Sequence, residues 1–143
     1  MNLDAIISEC KQANDYETLI RAIPYARTIG MRCLRAGDEV IFTLPARKEN
    51  IGNPTLPAIH GGVLGGFIEQ SAIIRILMLL EKPNFPKVID LSIDYLSAGH
   101  FQETYAECVV LRMGRRIANV SVSVWQTQKA KPIATARVHL LLD

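Results

Sequence analysis

The spacing of hydrophobic residues divides the first third of the chain into helices followed by strands. Between residues 3 and 22 the apolar side chains recur at roughly helical spacing, and Asp15 is placed to cap a second short helix. Pro24 is expected to end this helical region. Residues 28–46 then alternate like two strands, with Gly37 in the turn between them. The pattern predicts a helical N-terminal segment over residues 1–23 and a hairpin after it.

The middle of the chain holds a loop and then its longest apolar stretch. Residues 47–58 contain two prolines and are predicted to lack regular structure. From Gly61 to about Leu80 the chain is apolar and free of proline, which is too long for one strand. A helix of this length spans roughly 30 Å. Because its apolar residues do not stay on one face, the helix is expected to be buried on most sides.

Four strand-like runs complete the chain, and short Gly- or Pro-containing turns suggest that they form consecutive hairpins. One of these runs alternates strictly, with Val120, Val122 and Val124 on one side. The predicted strands are 87–96, 104–113, 117–127 and 133–142. A curved antiparallel sheet wrapped around the long helix satisfies both patterns, so the fold class is α+β, with residues 1–143 forming a single domain.

Composition and charge limit the kinds of molecule that this protein is expected to bind. The 143 residues are 49% hydrophobic and 21% charged, which suits one domain with a substantial core. A net charge of +2 would suit an anionic small molecule and is too weak to argue for nucleic acid. The apolar stretch is interrupted by Glu69, Gln70 and Arg75, so a membrane span is not expected.

Three widely spaced cysteines, Cys10, Cys33 and Cys108, form no C-x-x-C pair. That pattern indicates free thiols in a reducing compartment, and the acidic, polar N-terminus does not resemble a signal peptide. A cytoplasmic location is expected. A metal is not indicated, since His60 and Glu69 have no second histidine or cysteine nearby in sequence to complete a ligand set.

The stretch "IHGGVLGGFIEQSA", residues 59–72, places a histidine, two glycine pairs and one acid in an apolar run. A helix N-terminus offers free N–H groups and the positive end of the dipole, and Gly61 and Gly62 would let a carbonyl oxygen approach them. Glu69, the one acid in this helix, could act as general base or nucleophile. Nine residues advance a helix by about 900°, so His60 and Glu69 would diverge unless His60 lies outside the helix or a partner subunit completes the site.

"NPTLPAIHGGVLGGFIEQSA", followed by "IDYLSAG", resembles the PaaI-like branch of the hotdog-fold acyl-CoA thioesterases, in which an acid follows H-G-G nine positions after the histidine. The resemblance implies a hotdog fold and hydrolysis of acyl-CoA to free acid and coenzyme A, with no cofactor. The Gly61 amide would polarise the carbonyl and Glu69 would activate water or attack. It also implies homodimers or dimers of dimers (a homotetramer) with sites at the subunit interface.

Further roles follow from the resemblance or from residue chemistry. In relatives a loop asparagine orients the nucleophile; Asn53 is the best match and Asn50 the second. Some relatives carry a Ser or Thr where this chain has Val88, with Ser92 and Asp94 as the nearest polar residues. Candidates for substrate binding, with the arginines assigned to coenzyme A phosphates, are Gly62, Gln70, Arg115 and Arg116.

Plainer explanations compete with these assignments. Glu69 could lie on a wetter helix face or pair with Arg75, and His60 could simply cap the helix. Gly65 and Gly66 could serve close packing or clear a channel for an acyl chain of medium length or aromatic character. Two other functions stay open: a 3-hydroxyacyl thioester dehydratase, and a non-catalytic acyl-CoA-binding module.

Overall fold

The computed structural model describes residues 2–143, which form four α-helices, eight β-strands and one 3₁₀ turn. The helices are α1 (Leu3–Ala13), α2 (Tyr16–Ala22), α3 (Pro24–Ile29) and α4 (Gly61–Leu79). The strands are β1 (Arg32–Ala36), β2 (Glu39–Leu44), β3 (Ile51–Asn53), β4 (Ala58–Ile59), β5 (Lys87–Tyr95), β6 (Thr104–Met113), β7 (Ile117–Trp125) and β8 (Ala134–Leu141).

Six strands form one antiparallel sheet in the order β1-β2-β6-β7-β8-β5. Strand alternation turns one face of this sheet toward α4: Val120, Val122 and Val124 are fully buried, while the serines between them are half-buried. The α+β class, the six strands and their antiparallel pairing confirm the sequence prediction. The sheet wraps one helix, which is the hotdog fold.

Helix α4 lies in the core because almost every side of it is apolar. Leu64, Phe67, Ile68, Ile74 and Leu77 are at most 2% exposed. Each such side chain stabilises the folded state by about 1.5–3 kcal/mol through removal of apolar surface from water. The helix is long and apolar enough to cross a membrane, but 61% of its most hydropathic window is buried within this protein. It is the core helix of the domain.

Two local predictions were wrong. Pro24 does not end the helical region: it occupies the first turn of α3, where a fixed φ and a missing N–H are compatible with helix, and the helices run on to Ile29. The 47–58 stretch is not a plain loop. It folds into a 3₁₀ turn and the small β3–β4 hairpin, because its prolines stand at the hairpin tip and leave the paired residues free to bond.

The N-terminal helices are fastened to α4 by polar contacts over an apolar layer. Asp15 caps α2 as predicted, accepting from the Thr18 N–H at 3.0 Å. Lys11 Nζ donates to the Leu77 carbonyl at 3.0 Å near the end of α4, and the Arg75 guanidinium donates to the Tyr16 hydroxyl at 2.5 Å. The last two contacts hold α1 and α2 against the C-terminal half of α4.

Candidate active site

The start of α4 leaves one backbone donor free. The first turn of a helix has N–H groups without helical partners, and here the His60 carbonyl accepts from Val63 at 2.9 Å and Leu64 at 3.1 Å. The His60 Nδ1 accepts from the Gly62 N–H at 2.9 Å. Within residues 2–143 no acceptor bonds the Gly61 N–H. An exposed donor therefore remains at the positive end of the helix dipole.

His60 lies outside the helix, as its N-cap, with an extended backbone of φ −60° and ψ 129°. Its imidazole is held between two glycines. A Cβ on Gly62 would lie 2.8 Å from the ring carbon Cε1, and a Cβ on Gly52 would lie 2.9 Å from the ring carbon Cδ2. Both positions are glycine because the ring occupies the space that a side chain would need. By contrast, a Cβ on Gly61 would meet nothing closer than 3.6 Å.

This cap brings His60 to the Glu69 side of α4. Glu69 follows Gly62 by seven residues, which places the two within about 20° around the axis and roughly 10 Å along it. Since the imidazole lies over Gly62, it shares that face, and the half-turn divergence expected for a helical His60 does not arise. Between them, Gly65 and Gly66 contribute no side chain. The imidazole and the carboxylate therefore lie on one face of α4, about two helical turns apart.

Two tyrosines lie beside this face of α4, and neither was among the predicted site residues. The Tyr95 hydroxyl, at the end of β5, donates to the Gly61 carbonyl at 2.7 Å. Tyr25, from α3, lies so close over Gly66 that a Cβ there would overlap its ring. Tyr95 is 53% exposed and Tyr25 is 40% exposed, so both stand at the rim of this face. Tyr95 belongs to the quoted "IDYLSAG" motif, but its contact with Gly61 and that of Tyr25 with Gly66 join distant parts of the chain and were not predicted.

Glu69 is half-buried and, among the residues described, has no ion pair or hydrogen bond. Arg75, the alternative partner considered from sequence, bonds the Tyr16 hydroxyl instead. Gln70 is only 9% exposed, and its Oε1 has no partner within the described chain. A buried amide oxygen without a hydrogen-bond partner costs free energy of folding. The region beside Glu69 therefore holds an acceptor that the described part of the chain does not satisfy.

The two candidate asparagines have different environments. Asn50 is buried, and its amide donates to the Ile29 carbonyl at 3.0 Å, so it holds α3 to the pre-helix segment. Asn53 is exposed at the end of β3, where its Oδ1 accepts from the Thr55 N–H at 3.0 Å. Its amide nitrogen has no recorded partner in residues 2–143. Asn53 is therefore the asparagine with a free donor, close in sequence to the Gly52–His60 contact.

Ser92 and Asp94 of β5 face away from α4. Ile93 packs 3.3 Å from the Cβ position of Gly65, so it points toward α4. Because side chains alternate along a strand, Ser92 and Asp94 point to the opposite face, where they line a surface hollow with residues of β7 and β8. Val88 is half-buried and paired with Leu140. Within one protomer, no hydroxyl of β5 other than that of Tyr95 adjoins the first turn of α4.

The predicted phosphate-binding arginines lie at the far end of the helix. Arg115 borders a hollow with Leu79 and residues near the C-terminus, and Arg116 pairs with Asp143 at 3.8 Å in solvent. Helix α4 separates this end from Gly61 by roughly 28 Å. The two arginines are thus not brought together with His60, Gly61 and Glu69 inside a single chain.

An apolar cavity of about 380 Å³ lies beside the His60 segment. Ile51, which pairs with Ile59 one residue before His60, forms part of its wall, and Phe101 closes another side. The full lining is Lys48, Ile51, Pro54, Pro57 and Phe101. Over residues 2–143 there is no group of three His, Cys, Asp or Glu side chains placed to hold a metal ion. What the site offers is a backbone donor, a carboxylate and apolar space.

The different surroundings of Gly61 and Gly62 can be tested by the free energy of unfolding of alanine variants. Gly61→Ala has room for its methyl group and should raise the free energy of unfolding by up to about 1 kcal/mol, since alanine favours helix. Gly62→Ala pushes the His60 ring away and loses its cap, which should lower that free energy by about 1 kcal/mol. Urea denaturation at fixed protein concentration measures both. Equal effects of the two substitutions would contradict the packing of the imidazole on Gly62.

Comparison with known proteins places this chain in a family. The family model of the thioesterase superfamily matches residues 56–133, more than half of the chain. A Chromobacterium violaceum protein of known structure is 33% identical, with 96% of each chain covered and a TM-score of 0.79. Among curated protein sequences, none matches this chain.

More distant solved structures share the fold. Mouse thioesterase superfamily member 2 is 18% identical, covering 92% of this chain and 98% of its own, with a TM-score of 0.77. A Bacillus halodurans protein solved with CoA is 16% identical, covering 99% and 91%, with a TM-score of 0.73. The sheet wrapped around α4 and the family match agree: this chain belongs to the thioesterase superfamily of hotdog-fold proteins.

Proposed function

We propose that the protein hydrolyses acyl-CoA thioesters to a free acid and coenzyme A. The observation that carries this proposal is the free Gly61 N–H at the start of α4, on a helix whose one carboxylate, Glu69, is unpaired in the described chain. A thioester carbonyl accepting from that N–H gains most when its oxygen becomes negative in the tetrahedral intermediate. Family membership and a relative solved with CoA support the choice of substrate.

Glu69 acts in this proposal as general base or nucleophile. It lies eight residues after Gly61, roughly 12 Å along the axis, and helix side chains lean toward the N-terminus and shorten that gap. The remaining distance suits a thioester carbon and an attacking water between the two groups. His60 and Asn53 would orient the substrate or the water, and Gly62 and Gln70 would contact the substrate.

The acyl group is assigned to the apolar cavity beside His60. Its volume of about 380 Å³ suits a medium-length or aromatic acyl group, and its lining is almost wholly apolar. The phosphates of coenzyme A would bind Arg115 and Arg116. Because these lie near the C-terminal end of α4, they would serve a site on a neighbouring subunit whose helix runs antiparallel.

We further propose that the chain works as one domain of the PaaI-like type in the cytoplasm. Helices α1 to α3 share the apolar core with the sheet, which supports a single unit. Cys10, Cys33 and Cys108 are all free thiols, which supports a reducing compartment.

A homodimer, or a dimer of dimers, is proposed from the edge of the sheet. Strand β5 pairs only with β8, so its nine residues present an unpaired row of backbone groups along the outer edge. Ile89 is 52% exposed there. Pairing of two β5 strands would satisfy both rows and bring two α4 helices side by side.

Light scattering is expected to give a mass of at least two chains. Ile89→Lys places a charge on the proposed pairing edge and should shift the population to single chains. Leu34→Lys is the matched control, because Leu34 is 55% exposed on β1 at the opposite edge. A wild-type protein that stays at the mass of one chain at micromolar concentration would refute the dimer.

Hydrolysis is measured as coenzyme A release from a panel of acyl-CoA esters with a thiol reagent. Burial raises the pKa of the Cys33 and Cys108 thiols to about 12, so they stay protonated at neutral pH and react slowly. Glu69→Gln should lower kcat by about 10²–10⁴-fold, the contribution typical of a general acid or base. Glu9→Gln, an exposed acid on α1, is the control and should keep wild-type turnover.

The assignment fails if the wild type releases no coenzyme A at any chain length, or if Glu69→Gln keeps full turnover. Tight acyl-CoA binding without release would identify a non-catalytic binding protein instead.

A further inference from the structure

Tyr95 has a contact that thioester hydrolysis by Gly61 and Glu69 does not explain. Its hydroxyl donates to the Gly61 carbonyl at 2.7 Å, across 34 positions of the chain. That carbonyl belongs to the same peptide group as the Gly62 N–H, which donates to the His60 Nδ1 at 2.9 Å. The tyrosine, the Gly61–Gly62 peptide and the imidazole therefore form one continuous series of hydrogen bonds.

We propose that Tyr95 is a positioning residue that, through the Gly61–Gly62 peptide, holds His60 with its proton on Nε2. His60 then presents an N–H donor at the start of α4. The catalytic consequence of this arrangement rests on the proposed thioester hydrolysis. The hydrogen-bond series itself does not rest on that function, because NMR of the His60 nitrogens reports on it directly.

The position of the imidazole proton follows from the cap. A backbone N–H donates and has no lone pair to accept, so Nδ1 must be the accepting, unprotonated nitrogen. A neutral imidazole then carries its proton on Nε2. Nε2 has no partner among the residues described, and His60 is exposed. Gly52 and Gly62 hold the ring on both sides, so the donor has a defined direction rather than a mobile one.

Tyr95 strengthens this cap in two ways. A carbonyl that accepts a hydrogen bond makes the N–H of its own peptide a better donor, since linked hydrogen bonds polarise one another. The bond also ties the end of β5 to the first turn of α4, because Tyr95 is the last residue of β5 and pairs with Ala134. The hydroxyl thus connects the sheet to the turn that holds His60.

A purely structural role for Tyr95 makes a different prediction. The residue is 53% exposed, so its ring adds little to the core. Replacing it with phenylalanine keeps the ring and removes only the hydroxyl. If the ring alone mattered, Tyr95→Phe would behave as the wild type in every measurement that reports on His60.

The test compares wild type, Tyr95→Phe and Tyr105→Phe by ¹⁵N NMR of labelled histidines at about pH 8, where an ordinary imidazole is neutral. Tyr105 is the matched control because its ring stacks on Trp125 on the other face of the sheet. His60 is assigned by loss of its signals in His60→Gln. The wild type and Tyr105→Phe should show an unprotonated Nδ1 and a protonated Nε2. In Tyr95→Phe the ¹⁵N chemical shifts of the two His60 nitrogens should move toward the averaged values of a mixture of the two tautomers.

Kinetics of the same proteins give the second readout. Tyr95→Phe should lower kcat roughly tenfold with little change in KM, about the effect of one neutral hydrogen bond. Unchanged His60 nitrogen signals in Tyr95→Phe would overturn the proposal, even if kcat fell. Shifted signals with unchanged kcat would overturn the positioning role in catalysis. Shifted signals in a wild type that hydrolyses no acyl-CoA would support the hydrogen-bond series and reject the proposed function.

Discussion

The cap that His60 places on α4 is the contact on which the site depends. It bonds Gly62 through the ring and Val63 and Leu64 through the carbonyl, and so leaves Gly61 as the single free N–H of the first turn in the described chain. The same contact returns the imidazole to the Glu69 face. Without the imidazole cap, the Gly62 N–H would be a second free donor that competes with Gly61 for any bound carbonyl.

Burial and access make opposite demands on α4, and the helix meets both with different residues. Bulky side chains such as Phe67 and Ile68 are enclosed by the sheet and stabilise the fold. The stripe that carries Glu69 is flanked by Gly65 and Gly66, where Ile93 and Tyr25 pack against the helix. The charged residue is tolerated because its stripe reaches solvent between two rim tyrosines. Stability therefore comes from one side of the helix and chemistry from another.

Much of the fold and of the candidate site was predictable, because both depend largely on local sequence patterns. Periodicity located α4 and the last four sheet strands to within two residues at each end, and the H-G-G spacing singled out Gly61 and Glu69. The first predicted strand began at residue 28, but α3 runs to Ile29 and β1 starts only at Arg32. Helix α3 was missed because Pro24 both ends and begins helices. The rim tyrosines were missed because Tyr25 and Tyr95 reach α4 only through tertiary packing, which no periodicity encodes.

The most direct test of the account removes one hydrogen atom from the backbone. Gly61→Pro deletes the free N–H at a helix position that favours proline, after a residue whose extended backbone is compatible with it. Gly61→Ala adds side-chain bulk at the same position but keeps the N–H. Relative to Gly61→Ala, Gly61→Pro should lower kcat for acyl-CoA hydrolysis by about 10²–10³-fold with a native circular dichroism spectrum. Equal turnover of the two folded variants would contradict the central claim.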